Sequence, residues 1–313
     1  MTCPPWTGAG DRSGFRRALM KKAGAMMTQE QEREMRSELK ALRQQVAELS
    51  DEVAELSEEV EDAEQTVEQI ADIHQTLLPT QLPRIAGLEA AVSHLAPNRA
   101  GGDYYDLIPL GRGDGGEPDP AGSWLIIVAD ASGHGPAAAT IMAMLQAIVH
   151  AYTPETRAPG QVLEHMNQQM ARKKIEGSFT TALAAILDPV AGTFAYASAG
   201  HHAPLLRYPD GRVVELSCEE GGPPLAVDPD AAIGGRTHAL QPGETVLLYT
   251  DGVIEQANPQ GQRFNLAGLT DALAQAAGPP RLVLDHVGEA ARRHRAGSKI
   301  EDDRTLLALQ RQG

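Results

Sequence analysis

Cysteine is nearly absent: Cys3 and Cys218 are the two in 313 residues, too few for a disulfide framework or a thiolate zinc site and suited to a reducing compartment. Aromatic residues make up 4%, which leaves no sign of a stacking platform for nucleotides. Basic residues are outnumbered, 27 Lys and Arg against 42 Asp and Glu, for a net charge of -15. Such a surface repels nucleic-acid phosphate and anionic membranes. Metal ions and basic partner surfaces are the expected ligands; nucleic acid and membrane are not. No apolar run approaches the roughly 18 residues of a membrane span. The N-terminus, although basic at Arg12, Arg16, Arg17, Lys21 and Lys22, lacks the apolar stretch of a signal peptide. The expected location is the cytoplasm. The length admits one catalytic domain plus an appendage, because single cores stop growing at about 250 residues.

From Met35 to Leu77 apolar residues recur at alternating steps of four and three, with Val46, Val53, Val60 and Val67 in one register and Leu42, Leu49 and Leu56 in the other. β-Branched residues at a and leucine at d predict a parallel two-stranded coiled coil. A rod of this length would extend about 60 Å. Its outer faces carry Glu58, Glu59, Glu61, Asp62 and Glu64. His74 falls at a seam position, either as a pH-sensitive gate or as a polar residue tolerated at a fraying end. Leu77-Leu78-Pro79 and then Pro83 stop the helix, since proline excludes its predecessor from helical geometry. The expected organisation is a disordered tail over 1–30, a dimeric coil over 31–78, a linker over 79–87 and a catalytic domain over 88–311.

Beyond the elbow, strands are predicted at Leu88–His94, Tyr104–Leu110, Trp124–Ala129, Thr180–Leu187, Thr193–Ala197, Pro204–Tyr208, Val213–Leu216, Thr245–Tyr249 and Thr305–Leu309, bounded by turn residues. Helices are predicted at Pro136–Tyr152, Pro159–Lys174, Leu266–Ala276 and Pro280–Arg295, three of them opening on proline. Runs of strands without regular βαβ alternation indicate an α+β fold of antiparallel sheets between helices.

Two apolar strands end in an aspartate, Asp130 and Asp251, and two others begin just after one, Asp103 and the Asp302-Asp303 pair. If the first two run antiparallel to the second two, all these acids meet on one rim. Gathered carboxylates repel one another and call for hard divalent cations, Mg²⁺ or Mn²⁺. Taken singly, each aspartate is as well explained as a turn cap.

Five segments, Gly101-Gly102-Asp103-Tyr104-Tyr105-Asp106, Val128-Ala129-Asp130-Ala131-Ser132-Gly133-His134-Gly135, Ala199-Gly200-His201, Tyr249-Thr250-Asp251-Gly252-Val253-Ile254-Glu255 and Asp302-Asp303-Arg304-Thr305, resemble in order and context the SpoIIE/RsbU-type branch of the PPM (type 2C-like) serine/threonine phosphatases. The resemblance implies an α/β/β/α sandwich, two Mn²⁺ or Mg²⁺ ions and hydrolysis of phosphoserine or phosphothreonine. Carried over by motif, Asp130 would bridge both ions with help from the Ala131 backbone carbonyl. Asp251 and Asp302 would hold one ion, and Asp103 the other directly or through water. Asp106 and Asp303 match the motifs with metal roles left open. Ser132 occupies the place of a histidine that serves as proton donor in the eukaryotic branch; His134 is the candidate replacement, the alternative being a purely structural part in its glycine loop. His201-His202 reads as structure rather than as a metal pair. The sequence departs from the family at Ala226 and Asn265, where glycine is usual. The implied substrate is a phosphorylated STAS-domain anti-sigma-factor antagonist, with an upstream sensor protein as a further partner. Two other readings stay open: a catalytically silent coiled-coil scaffold with a phosphatase fold, and a small-molecule phosphoesterase.

Overall fold

The structure is a computed structural model that describes residues 28–97, 101–111, 118–133, 135–152, 158–173 and 178–313. The expected N-terminal tail lies outside the described residues up to residue 27. It forms two compact units, one ending at Glu64 and the other running Gln65–Gly313.

Helix α1 (Gln29–Leu77) opens on a reciprocal cap. Gln31 N donates to Thr28 Oγ1 and Thr28 N donates to Gln31 Oε1 at 3.0 Å, which satisfies amides that a helix start leaves orphaned. Along the first unit the seam residues Met35, Leu39, Leu42, Val46, Leu49, Val53, Leu56 and Val60 are 48–63% exposed in the single chain. The last turns belong to the second unit, where Ala71 packs on Ala139 and His74 is buried. Gln146 Nε2 donates to the Leu77 carbonyl at 2.6 Å and Tyr105 Oη to that of Pro79 at 3.3 Å, so the elbow is pinned to the domain. His74 is therefore neither a fraying end nor exposed.

Among the described residues the second unit holds two five-stranded sheets, β1-β10-β9-β6-β7 and β2-β3-β4-β5-β8, antiparallel throughout. The strands are β1 (Leu88–Leu95), β2 (Asp103–Pro109), β3 (Trp124–Ala131), β4 (Thr180–Asp188), β5 (Thr193–Ala199), β6 (Leu205–Arg207), β7 (Val213–Glu215), β8 (Gly235–Ala239), β9 (Thr245–Tyr249) and β10 (Arg304–Arg311). The helices are α2 (Pro136–Ala151), α3 (Pro159–Ala171), α4 (Asp251–Ile254), α5 (Asn265–Gln275) and α6 (Pro280–Arg295).

Period-two alternation sorts the side chains into layers. On β9 and β10, Val246, Leu248, Leu307 and Leu309 face the core shared with the other sheet, together with Ile126, Val128 and the apolar faces of α2 and α3. Their neighbours Leu247, Tyr249, Leu306 and Ala308 face α5 and α6, against Leu269, Leu273, Val283 and Val287. The result is an α/β/β/α sandwich. Helices α2, α3 and α6 each carry proline in the first turn, where its missing N–H costs nothing. The edge strand β8, Gly-Arg-Thr-His-Ala, is mostly exposed, so it has no hydrophobic alternation to announce it.

Candidate functional site

The antiparallel pairing carries the aspartates to one rim. Asp103 at the start of β2 sits opposite Asp130 near the end of β3, so their side chains share a face. In the other sheet β9 runs into Asp251 at the first turn of α4, and β10 starts directly after Asp303. One pair comes from each sheet.

Two glycines let these groups close on one another. A Cβ on Gly101 would lie 2.3 Å from the Asp303 carboxylate. A Cβ on Gly102 would come within 2.7 Å of the Ala131 carbonyl oxygen and 3.4 Å of Asp130 Oδ1. The Gly102 amide donates to Asp303 Oδ2, which anchors Asp303 against the loop. The Asp302-Asp303 segment presses in the same way on a third glycine: a Cβ on Gly252 would meet the Asp303 carbonyl oxygen at 1.9 Å and the Asp302 Cβ at 3.3 Å.

The electrostatics follow from this crowding. Burial, then the charges of Asp251, Asp302 and Asp303, push the Asp130 carboxyl up to about 8. Burial and Asp130 hold Asp103 well above the usual carboxylate range, against the opposing pull of its hydrogen bonds from Thr305 and Thr250. Asp251 is raised by burial, Asp302 and Glu255, and eased by His202. Among the described residues no three His, Cys, Asp or Glu side chains form a closed cage around one point. The donors are nevertheless all oxygen, include a backbone carbonyl in a glycine-lined cradle, and strain for positive charge. An open oxygen set completed by water fits Mg²⁺ or Mn²⁺.

Asp106, three residues along β2, points to the opposite face, where it accepts from Tyr104 Oη at 2.9 Å and lies 2.7 Å from His150 Nε2. Ser132 pairs with Phe179 through both its backbone amide and its hydroxyl, which accepts from Phe179 N at 3.0 Å. His134 lies outside the described residues. His201 is buried, with Nδ1 at 2.8 Å from Thr181 Oγ1 and Nε2 at 3.1 Å from the Tyr249 carbonyl; it braces the strand that leads to Asp251. His202 stacks on Tyr249 at 5.3 Å between ring centroids.

Sequence reasoning gave no role at the rim to three parts of this neighbourhood. His202 has only its place beside His201 to mark it. A polar cleft of about 270 Å³ adjoins Asp302, lined by Gly252, Glu255, Gln256, Arg263 and Glu301 among others; its residues are spread from 252 to 302. Thr250 and Thr305 bind Asp103; in the sequence they stand only as members of the quoted segments, Thr250 directly before Asp251 and Thr305 two places after Asp303.

Comparison with known proteins identifies the family and the fold. Residues 120–312 match the family described as Stage II sporulation protein E (SpoIIE). The phosphoserine phosphatase RsbU of Bacillus subtilis is 28% identical over 195 residues, covering 62% of this chain and 55% of that protein. The chain spans about half the length of the curated relatives it matches. Among solved structures, the RsbU and RsbW domains of Rv1364c from Mycobacterium tuberculosis superpose with a TM-score of 0.61 at 28% identity, over 74% of this chain and 63% of that one. The SiaA-PP2C domain of Pseudomonas aeruginosa shares the fold at a TM-score of 0.66 and 21% identity, over 80% of this chain and 97% of that one.

Proposed function

Because the chain belongs to the SpoIIE family, we propose that it is a cytoplasmic, Mg²⁺- or Mn²⁺-dependent phosphatase that hydrolyses phosphoserine or phosphothreonine in a signalling protein. The observation that carries this reading is the shared rim, to which one sheet brings Asp103 and Asp130 and the other brings Asp251 and Asp302. Asp130, whose carboxyl feels the charge of acids from the other sheet, would be shared by two ions, with the Ala131 carbonyl as a further oxygen donor. Asp251 and Asp302 would hold one ion and Asp103 the other. Bound there, the ions would lower the pKa of a nucleophilic water and offset charge on the transferring phosphoryl group. The chain's own contribution is positional: Gly101 and Gly102 leave room for the acids, and the Gly102 amide fixes Asp303. As the Ser–O–P bond breaks, the departing serine oxygen needs a proton. Ser132 is engaged with Phe179, which favours His134 as the donor.

No helix among the described residues is long and apolar enough to cross a membrane. The half-exposed apolar seam of α1 supports a parallel homodimer, a form in which an upstream sensor protein can act on the phosphatase by shifting the coil. The similarity to proteins named for RsbU and RsbW domains supports a STAS-type antagonist as substrate.

The full chain should hydrolyse para-nitrophenyl phosphate with Mn²⁺ or Mg²⁺, and Asp130→Ala should cost roughly a thousandfold or more. Full activity in excess EDTA would overturn the reading. Release of phosphate from a phosphorylated STAS protein, against unrelated phosphoproteins, tests the substrate.

A further inference from the structure

Thr250 occupies the N-cap of α4, where a threonine hydroxyl ordinarily accepts from an amide of the first turn; it makes no such bond. Its hydroxyl instead donates to Asp103 Oδ2 at 2.7 Å. Thr305 Oγ1 donates to the same oxygen at 2.6 Å, and Thr305 N donates to Thr250 Oγ1 at 2.9 Å. All three residues are buried. With its one proton on Asp103, the Thr305 hydroxyl has a lone pair free to accept. His94, directly opposite Thr305 across β1 and β10, places Nδ1 2.9 Å from that oxygen. The arrangement assigns the Nδ1–H tautomer to His94, and every hydroxyl in the chain of bonds then gives one hydrogen bond and receives one.

The three partners come from different parts of the sandwich. Asp103 belongs to the sheet that carries Asp130, while Thr250 and Thr305 flank Asp251 and the Asp302-Asp303 pair in the other sheet. We propose that Thr250 and Thr305 are positioning residues: they clamp the Asp103 carboxylate in one orientation and lock the acid-bearing edges of the two sheets at the separation a divalent cation requires, with His94 orienting the Thr305 hydroxyl. This rests on the phosphatase reading, which says what Asp103 is held for. If the hydroxyls served only to satisfy a buried carboxylate, their loss would lower stability and leave cation affinity alone.

The test is Mn²⁺ binding to the full chain by isothermal titration calorimetry, with melting in EDTA to confirm that each variant folds. Thr305→Val should weaken Mn²⁺ binding roughly 10- to 100-fold, the usual cost of removing a partner that orients a metal ligand. It should raise the Mn²⁺ concentration for half-maximal para-nitrophenyl phosphate hydrolysis by the same factor, with kcat at saturating Mn²⁺ changed far less. Thr305→Ser, which keeps the hydroxyl and loses the methyl, should restore wild-type affinity. Should Thr305→Val fail to fold, His94→Leu carries the same test, with a smaller shift in the same direction. Wild-type affinity in both Thr305→Val and His94→Leu, or a Thr305→Ser as weak as Thr305→Val, would overturn the clamp. A wild-type chain that binds no Mn²⁺ would overturn the phosphatase reading and the clamp with it, so the two failures are told apart by the wild-type titration.

Discussion

His201 carries a structural load that its own titration exposes. Burial, with the neighbouring His202, pushes its imidazole down to about 3; unfolded, it would protonate near the ordinary value of about 6.5. Between those values the unfolded chain binds the extra proton. The stability His201 contributes is therefore fully present above about 6.5 and is lost as pH falls towards 3. His201→Gln should be less stable than wild type at pH 7.5, and the gap should narrow by about 2 kcal/mol at pH 5. Urea denaturation in EDTA at the two pH values measures this, and a constant gap would show that the imidazole protonates alike in both states. Two other residues show how a departure from family pattern resolves in space: Ala226 and Asn265 adopt φ of 69° and 57°, the left-handed region that glycine occupies freely. Asn265 is suited to it, and its side chain also accepts from Gly268 N at 3.0 Å. Ala226 pays the Cβ strain in a loop held by Asn167 Oδ1, which accepts from its amide at 2.8 Å.

At the scale of elements, prolines and acids at segment ends made most of the boundaries readable. The strand predicted over Thr245–Tyr249 and the helix over Pro280–Arg295 agree with β9 and α6 to the residue. Strand β8 escaped because an exposed edge needs no apolar face, and α4 because a single turn is too short for helical periodicity. Helix α1 carries the prediction that belongs here. Its terminal turns are fixed by buried Ala71 and His74, so an insertion between Val60 and Glu61 leaves them untouched. Seven added residues keep the heptad in phase and should leave turnover of a phosphoprotein unchanged; three or four shift the phase and should change it roughly fivefold or more. Equal turnover in all three variants would remove α1 from control of the site.

For the whole molecule, the net charge and the apolar seam of α1 act in opposite directions on self-association. With -15 overall and a run of acids at Glu58, Glu59, Glu61, Asp62 and Glu64, two parallel copies of α1 would repel across their flanks while their seams attract. Salt screens the first and leaves the second. Sedimentation velocity at micromolar concentration should show a dimer that tightens between 50 mM and 500 mM NaCl, values spanning a Debye length of about 14 to 4 Å. A monomer at both salt concentrations would dismiss the parallel coil.

The heptad of α1, the proline elbow and the aspartates at strand ends were all determined by the sequence alone, because each is a pattern among neighbours along the chain. Antiparallel pairing turned four such ends into one rim, and this too was readable once the strand directions were supposed. Only the tertiary structure decided which sheet each pair of acids came from, that Asp106 faces His150 instead of the rim, and that Thr250 and Thr305 converge on Asp103 with His94 behind Thr305. The bond from Thr305 to Asp103 spans 202 positions in the chain. A buried hydroxyl can serve any acceptor that packing brings to it, so no local pattern marks its partner before the two sheets close.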